Sequence, residues 1–77
     1  MEIKIYLFGR LKELTGLSEL VMEGISDTDQ VMHEVICRFP NIKGIPCLVA
    51  VDREIIHGNT SLKEGQELAI LPPYSGG

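Results

Sequence analysis

The chain is short of basic residues, cysteines, long apolar runs and catalytic motifs, and each shortage argues against a class of function. Seven Lys and Arg against eleven Asp and Glu leave a net charge of −4. A nucleic-acid binder usually carries a basic face, so this balance points away from one. The local exception is Arg10 with Lys12, read as a solvated turn or as a contact to an acidic partner surface. Only two cysteines occur, Cys37 and Cys47. Their spacing matches no zinc or iron–sulfur site and no C-x-x-C motif. Both are expected to be buried small hydrophobes in a reducing compartment, with no metal bound. The longest apolar stretch, Ile45 to Val51, is too short to span a membrane. Glu2 and Lys4 interrupt the opening apolar residues, so no signal peptide is read there. A cytoplasmic protein without membrane contact is the expectation.

The parts of a self-contained catalyst are missing as well. No G-x-x-x-x-G-K-[ST] loop is present to hold a nucleotide. His33 and His57 have no H-x-x-x-H relation; His33 lies beside the helix stripe and His57 ends a short strand, so both read as structural. No pair of acids is set up for proton transfer, and Ser75 has no base near it in sequence. A 77-residue chain buries only about 60% of its unfolded surface. That core supports a scaffold but hardly a deep enclosed active site, which favours a carrier, adaptor or subunit.

What is present reads as one domain. Ile3, Ile5 and Leu7 alternate with polar neighbours, the period of a half-buried strand, and Gly9 ends it. Leu11 and Leu14 suggest a single helical turn closed by Gly16. Leu17 to Met22 reads as a second strand, antiparallel to the first. Ser26-Asp27-Thr28-Asp29 is a helix start, with any of the first three a candidate N-cap. Val31, Val35, Ile36 and Phe39 form one apolar helical stripe, and Pro40 stops it. Residues 41–46 read as a loop. Leu48 to Val51, Glu54 to His57 and Gln66 to Leu71 read as three further strands. Asp52-Arg53, Gly58-Asn59 and Leu62 to Gly65 are the turns, Leu62 anchoring its turn in the core. The order β-β-α-β-β-β implies an α+β fold, one main helix packed across a mixed sheet.

Residues 1–71 make up this domain, and residues 72–77 read as an extended tail. Pro72 cannot donate to a β-ladder, so it ends the last strand. Pro72-Pro73 favours a stiff polyproline conformation. Tyr74, Ser75, Gly76 and Gly77 follow. The tail reaches roughly 20 Å at about 3.3 Å per residue. Glycine has no Cβ, so Gly76-Gly77 can thread a narrow slot with nothing crowding a final carboxylate. A frayed terminus is the bland alternative. A carboxylate is a poor electrophile; if Gly77 reacts, a partner must first activate it, for instance by adenylation with ATP.

These residues resemble a family. Ile3-Lys4-Ile5-Tyr6-Leu7-Phe8-Gly9-Arg10-Leu11-Lys12-Glu13-Leu14, Leu48-Val49-Ala50-Val51-Asp52, Leu62-Lys63-Glu64-Gly65-Gln66-Glu67-Leu68-Ala69 and Leu71-Pro72-Pro73-Tyr74-Ser75-Gly76-Gly77 are similar to stretches of the ubiquitin-like sulfur carriers. The resemblance is nearest to the molybdopterin synthase small subunits. It implies a ubiquitin-like β-grasp fold. It implies that a ubiquitin-activating-type enzyme adenylates Gly77, that a sulfur donor converts it to a thiocarboxylate, and that the sulfur passes to a cyclic pterin precursor. The active site would lie in the synthase large subunit, within a heterotetramer, and no cofactor would be bound by this chain. Pro72, Pro73, Tyr74, Ser75 and Gly76 would line the insertion channel. The family's docking surface maps onto Phe8, Lys12, Ile55 and Leu71. Ordinary core packing is the other reading of Phe8, Ile55 and Leu71.

Three positions depart from the family pattern. Asp52 stands where Asn is usual, Gln66 where Asp is usual, and Lys12 where Arg is frequent. Three other functions stay open: a sulfur carrier for thiamine or another thiolated product, a ubiquitin-like protein modifier, and a plain β-grasp interaction module. The Pro-Pro before the tail favours the molybdopterin reading over the thiamine one.

Overall fold

A computed structural model describes residues 2–73. Five strands, β1 (Glu2–Leu7), β2 (Glu19–Glu23), β3 (Leu48–Val51), β4 (Glu54–Ile56) and β5 (Glu67–Leu71), form one mixed sheet in the order β2-β1-β5-β3-β4. The central pair β1 and β5 is parallel, with Ile5 beside Leu68 and Leu7 beside Ile70. The other pairs are antiparallel. The α+β layout expected from the sequence is the one observed.

The alternation in β1 decides what each face of the sheet does. Ile3, Ile5 and Leu7 are essentially fully buried, together with Met22, Leu68 and Ile70 from the neighbouring strands. They pack against Val31 and Val35 of α2 (Thr28–Arg38) and Leu11 of α1 (Arg10–Thr15). Burying each such side chain stabilises by about 1.5–3 kcal/mol. The opposite face, carrying Lys4, Tyr6, Glu67 and Ile55, has no helix over it.

Helix α2 starts where the cap residues direct. Asp27 is the N-cap; its carboxylate accepts the Gln30 N–H at 2.9 Å, and the Gln30 side chain accepts the Ser26 N–H at 3.0 Å. The Asn59 side chain accepts the Asp29 N–H at 3.0 Å. Buried Thr28 accepts the Thr60 N–H at 2.9 Å, so the segment before β5 is tied to the helix start. Leu62 is buried, as its anchoring role requires.

Several sequence readings shift. Strand β5 begins at Glu67 rather than Gln66, and β2 ends at Glu23 rather than Met22. Strand β2 begins at Glu19 rather than Leu17, because Thr15 folds back over the α1 C-terminus. Its hydroxyl donates to the Leu11 carbonyl at 2.8 Å and accepts the Leu17 N–H at 3.2 Å. Strand β4 stops at Ile56, one residue short of His57. Pro40–Ile42, running from the helix stop into the expected loop 41–46, form a 3₁₀ turn that buries Ile42. Cys37 is exposed rather than buried, and Cys47 is only half-buried. Cys37 follows Val35 by two residues, about 200° around the helix at 100° per residue, so it faces away from the core. Partial burial pushes the Cys47 thiol pKa up.

Candidate functional site

The open sheet face and the start of the tail meet at one corner of the molecule. Phe8 follows β1, and its N–H donates to the Ile70 carbonyl at 3.2 Å, which holds the two parallel strands together at their C-terminal ends. The chain then turns at Gly9 with φ +58°, a backbone conformation that side chains rarely adopt. Space is also tight at this turn. A Cβ at Gly9 would stand 3.1 Å from Cγ of Pro72. The Pro72 ring therefore lies over the backbone of the β1–α1 turn as the chain leaves β5.

The side chains named in advance fall as follows. Phe8 is 46% exposed and Ile55 45%, so neither is core. Leu71 is half-buried at the end of β5, and Lys12 is exposed on α1. The register sets Ile55 opposite Ala50, Ala50 opposite Ala69, and Leu71 opposite Leu48. The strand alternation therefore puts Leu48, Ala50, Ile55, Ala69 and Leu71 on the uncovered face. Of these Ile55 is exposed, Leu48, Ala69 and Leu71 are half-buried, and Ala50 is buried; exposed apolar surface of the kind Phe8 and Ile55 present marks contact surfaces. Pro72 is half-buried and Pro73 exposed. Tyr74, Ser75, Gly76 and Gly77 lie outside the described residues.

Sequence reasoning missed the polar part of this face. Tyr6 donates its hydroxyl to Glu67 Oε2 at 3.0 Å. The hydrogen bond to Glu67, with the carboxylate's negative charge, raises the Tyr6 pKa. A recess of about 310 Å³ is lined by Tyr6, Phe8, Arg53, Glu67, Leu68 and Ala69. Its signal in the sequence was the outward period of β1, which placed Tyr6 opposite to Ile5 and Leu7. Arg53 could not be placed without the β3–β4 hairpin.

A larger groove of about 730 Å³ lies elsewhere, between the end of β2 and α2, and is lined by residues including Asp29, His33 and Arg38. His33 is exposed, and its Nε2 lies 3.6 Å from the Cys37 sulfur. Among the described residues no three His, Cys, Asp or Glu side chains are grouped to hold a metal. No helix of the described residues is long and apolar enough to cross a membrane.

The two substituted turn positions touch each other. Gln66 Nε2 donates to Asp52 Oδ2 at 3.1 Å, while Asp52 Oδ1 accepts the Glu67 N–H at 2.9 Å. Where the family usually has an amide at the first position and a carboxylate at the second, this chain has the reverse. The departures are one exchanged hydrogen-bonded pair.

A five-stranded mixed sheet with a parallel central pair and one long helix across one face defines a ubiquitin-like β-grasp domain. The solved small archaeal modifier protein 1 from Methanosarcina acetivorans shares it at TM-score 0.84 and 26% identity, covering 99% of this chain and 96% of that one. Subunit 1 in the complex of subunits 1 and 2 of molybdopterin-converting factor from Helicobacter pylori shares the fold at TM-score 0.75 and 24% identity, with both chains fully covered. Over residues 5–77 the chain matches the ThiS family, and it belongs to that family. It is 37% identical to the molybdopterin synthase sulfur carrier subunit of Arabidopsis thaliana, covering all of this chain and 84% of that protein. The protein of the same name from Chlamydomonas reinhardtii is 31% identical, with both chains fully covered.

Proposed function

We propose that the chain is a sulfur carrier, the small subunit of a molybdopterin synthase. The observation that carries this reading is full-length similarity, at 31–37% identity, to two proteins named molybdopterin synthase sulfur carrier subunit. The fold is consistent with it: a β-grasp body whose last strand, β5, runs directly into Pro72-Pro73.

In this reading the Gly77 carboxylate attacks the α-phosphate of ATP on an activating enzyme and releases pyrophosphate. A sulfur donor then displaces AMP, and one carboxylate oxygen has been replaced by sulfur. The thiocarboxylate enters the large subunit, where its sulfur passes to a cyclic pterin precursor. Gly76 and Gly77 suit a narrow channel, and the prolines lessen the entropy lost on insertion. Phe8, Ile55 and Leu71 form the apolar part of the docking face, with Lys12 at its side. The chain brings no cofactor of its own, and the chemistry proceeds in the cytoplasm on its partners.

Reconstitution tests the reading. Thiocarboxylated chain, mixed with a molybdopterin synthase large subunit and cyclic pterin precursor, is expected to yield the dithiolene product and return Gly77 as a carboxylate. Sulfur delivered only to a thiazole-forming enzyme would instead assign the chain to thiamine synthesis. A second reading, protein modification through Gly77, draws on the likeness to small archaeal modifier protein 1. It predicts isopeptide conjugates in cells that disappear when Gly77 is deleted.

A further inference from the structure

The β3–β4 hairpin turns on Asp52 and Arg53, both at positive φ, +49° and +70°. Two such residues between paired strands suit Asn-Gly or Asp-Gly, because the second position favours glycine. Asp52 tolerates the conformation and uses its carboxylate to hold β5. Arg53 has no such local use. Arg53 lines the recess on the open face with Phe8, Ala69 and the Tyr6–Glu67 pair. Glu67 accepts the Tyr6 hydroxyl and lies beside Lys4 in the strand register. Among the described residues the ion pair is Glu34–Arg38 on α2, and Arg53 is in none. A residue held in a disfavoured conformation, with an unpaired charge beside an exposed apolar surface, points to a contact outside the chain.

We propose that Arg53 is a specificity residue of the docking face, its guanidinium receiving a carboxylate of the large subunit as Phe8, Ile55 and Leu71 pack on it. The proposal rests on the carrier reading above. The apolar side chains supply area, and Arg53 supplies a planar pair of donors that a carboxylate matches in two hydrogen bonds. In a chain of net charge −4, a cation on the contact face that is in no ion pair among the described residues also helps to fix the register of a carboxylate partner.

Titration calorimetry of the full chain against the large subunit, at two salt concentrations, tests this with three variants. R53G relieves the turn, so its melting temperature is expected to rise while its affinity falls about tenfold and its salt dependence flattens. R53K keeps the charge and is expected to lose less affinity than R53G. R53E is expected to bind most weakly and to gain affinity as salt is raised. Wild-type affinity with an unchanged salt slope in R53G and R53E overturns the assignment of Arg53. So does an affinity loss in R53G whose salt slope stays that of the wild type, which would make the contact one of packing. A wild-type chain that fails to bind the large subunit overturns the carrier reading itself, and the Arg53 assignment with it.

Discussion

The two faces of one sheet carry apolar side chains to opposite ends. On the covered face Ile3, Ile5, Leu68 and Ile70 have no exposed surface and belong to the core cluster that also holds Leu11 of α1 and Val31 and Val35 of α2. On the open face Phe8 and Ile55 keep nearly half of theirs, and Phe8 shares a recess with Tyr6, Glu67 and Arg53. The same strands build both, one residue out of step. The covered face supplies stability, and on the proposed function the open face is the apolar surface that meets a partner. Substitutions on the two faces should therefore separate folding from binding.

The widest separation is expected between Leu68→Ala and Phe8→Ala. Leu68 is fully buried, so its truncation should cost about 2–5 kcal/mol of stability in urea unfolding. A domain of this size holds only about 4–12 kcal/mol, so the loss is a large share of the total. Phe8→Ala should change stability by about 0.5 kcal/mol or less and weaken binding to the large subunit. Equal destabilisation by both variants would break the distinction between the faces.

Gly9→Ala probes the corner where the faces meet the tail. The strained φ should cost about 1–3 kcal/mol, and the new Cβ would crowd Pro72. Thermal melting should register the loss. Sulfur transfer should fall further than stability alone accounts for, because the exit of the tail is displaced.

A smaller effect is expected where Asp52 meets Gln66. Asp52→Asn alone sets two amide groups against each other, and Gln66→Asp alone sets two carboxylates together. The double variant restores an amide–carboxylate pair, so a double-mutant cycle in urea should return a coupling of about 0.5–1 kcal/mol. Additive single effects would mean that the contact contributes nothing.

The subtlest test concerns Tyr6 on the open face. Its hydrogen bond to Glu67 raises its pKa above the ordinary value of about 10. A raised folded value favours the protonated phenol in the native state. That contribution is complete below the unfolded pKa and is lost as pH climbs through the folded one. Urea midpoints of wild type and Tyr6→Phe should therefore converge only above about pH 10. Parallel curves across that range would remove the Tyr6–Glu67 bond from the account.

How much of this the sequence discloses depends on how local the cause is. The alternation of Ile3, Ile5 and Leu7 and the cap cluster around Asp27 are local, and both elements form as their patterns require. The burial of Cys37 was misread although its helix was right. Cys37 shares a face with His33, four residues back, which the same helical period places outside. The exposure of Phe8 and Ile55 depends on which strands become neighbours, so core packing remained an equal reading until the register was known. The Asp52–Gln66 exchange was visible as two separate departures. Only the pairing of β3 with β5 makes them one interaction.

Intact mass spectrometry is the most direct measurement of the central claim, that this body exists to present Gly77 for sulfur loading. The full chain is incubated with its activating enzyme, ATP and a sulfur donor, and a parallel sample omits ATP. The account predicts replacement of one oxygen by one sulfur at Gly77, only with ATP, and no replacement when Gly77 is deleted from a folded chain. A chain that stays unmodified under all of these conditions would contradict it.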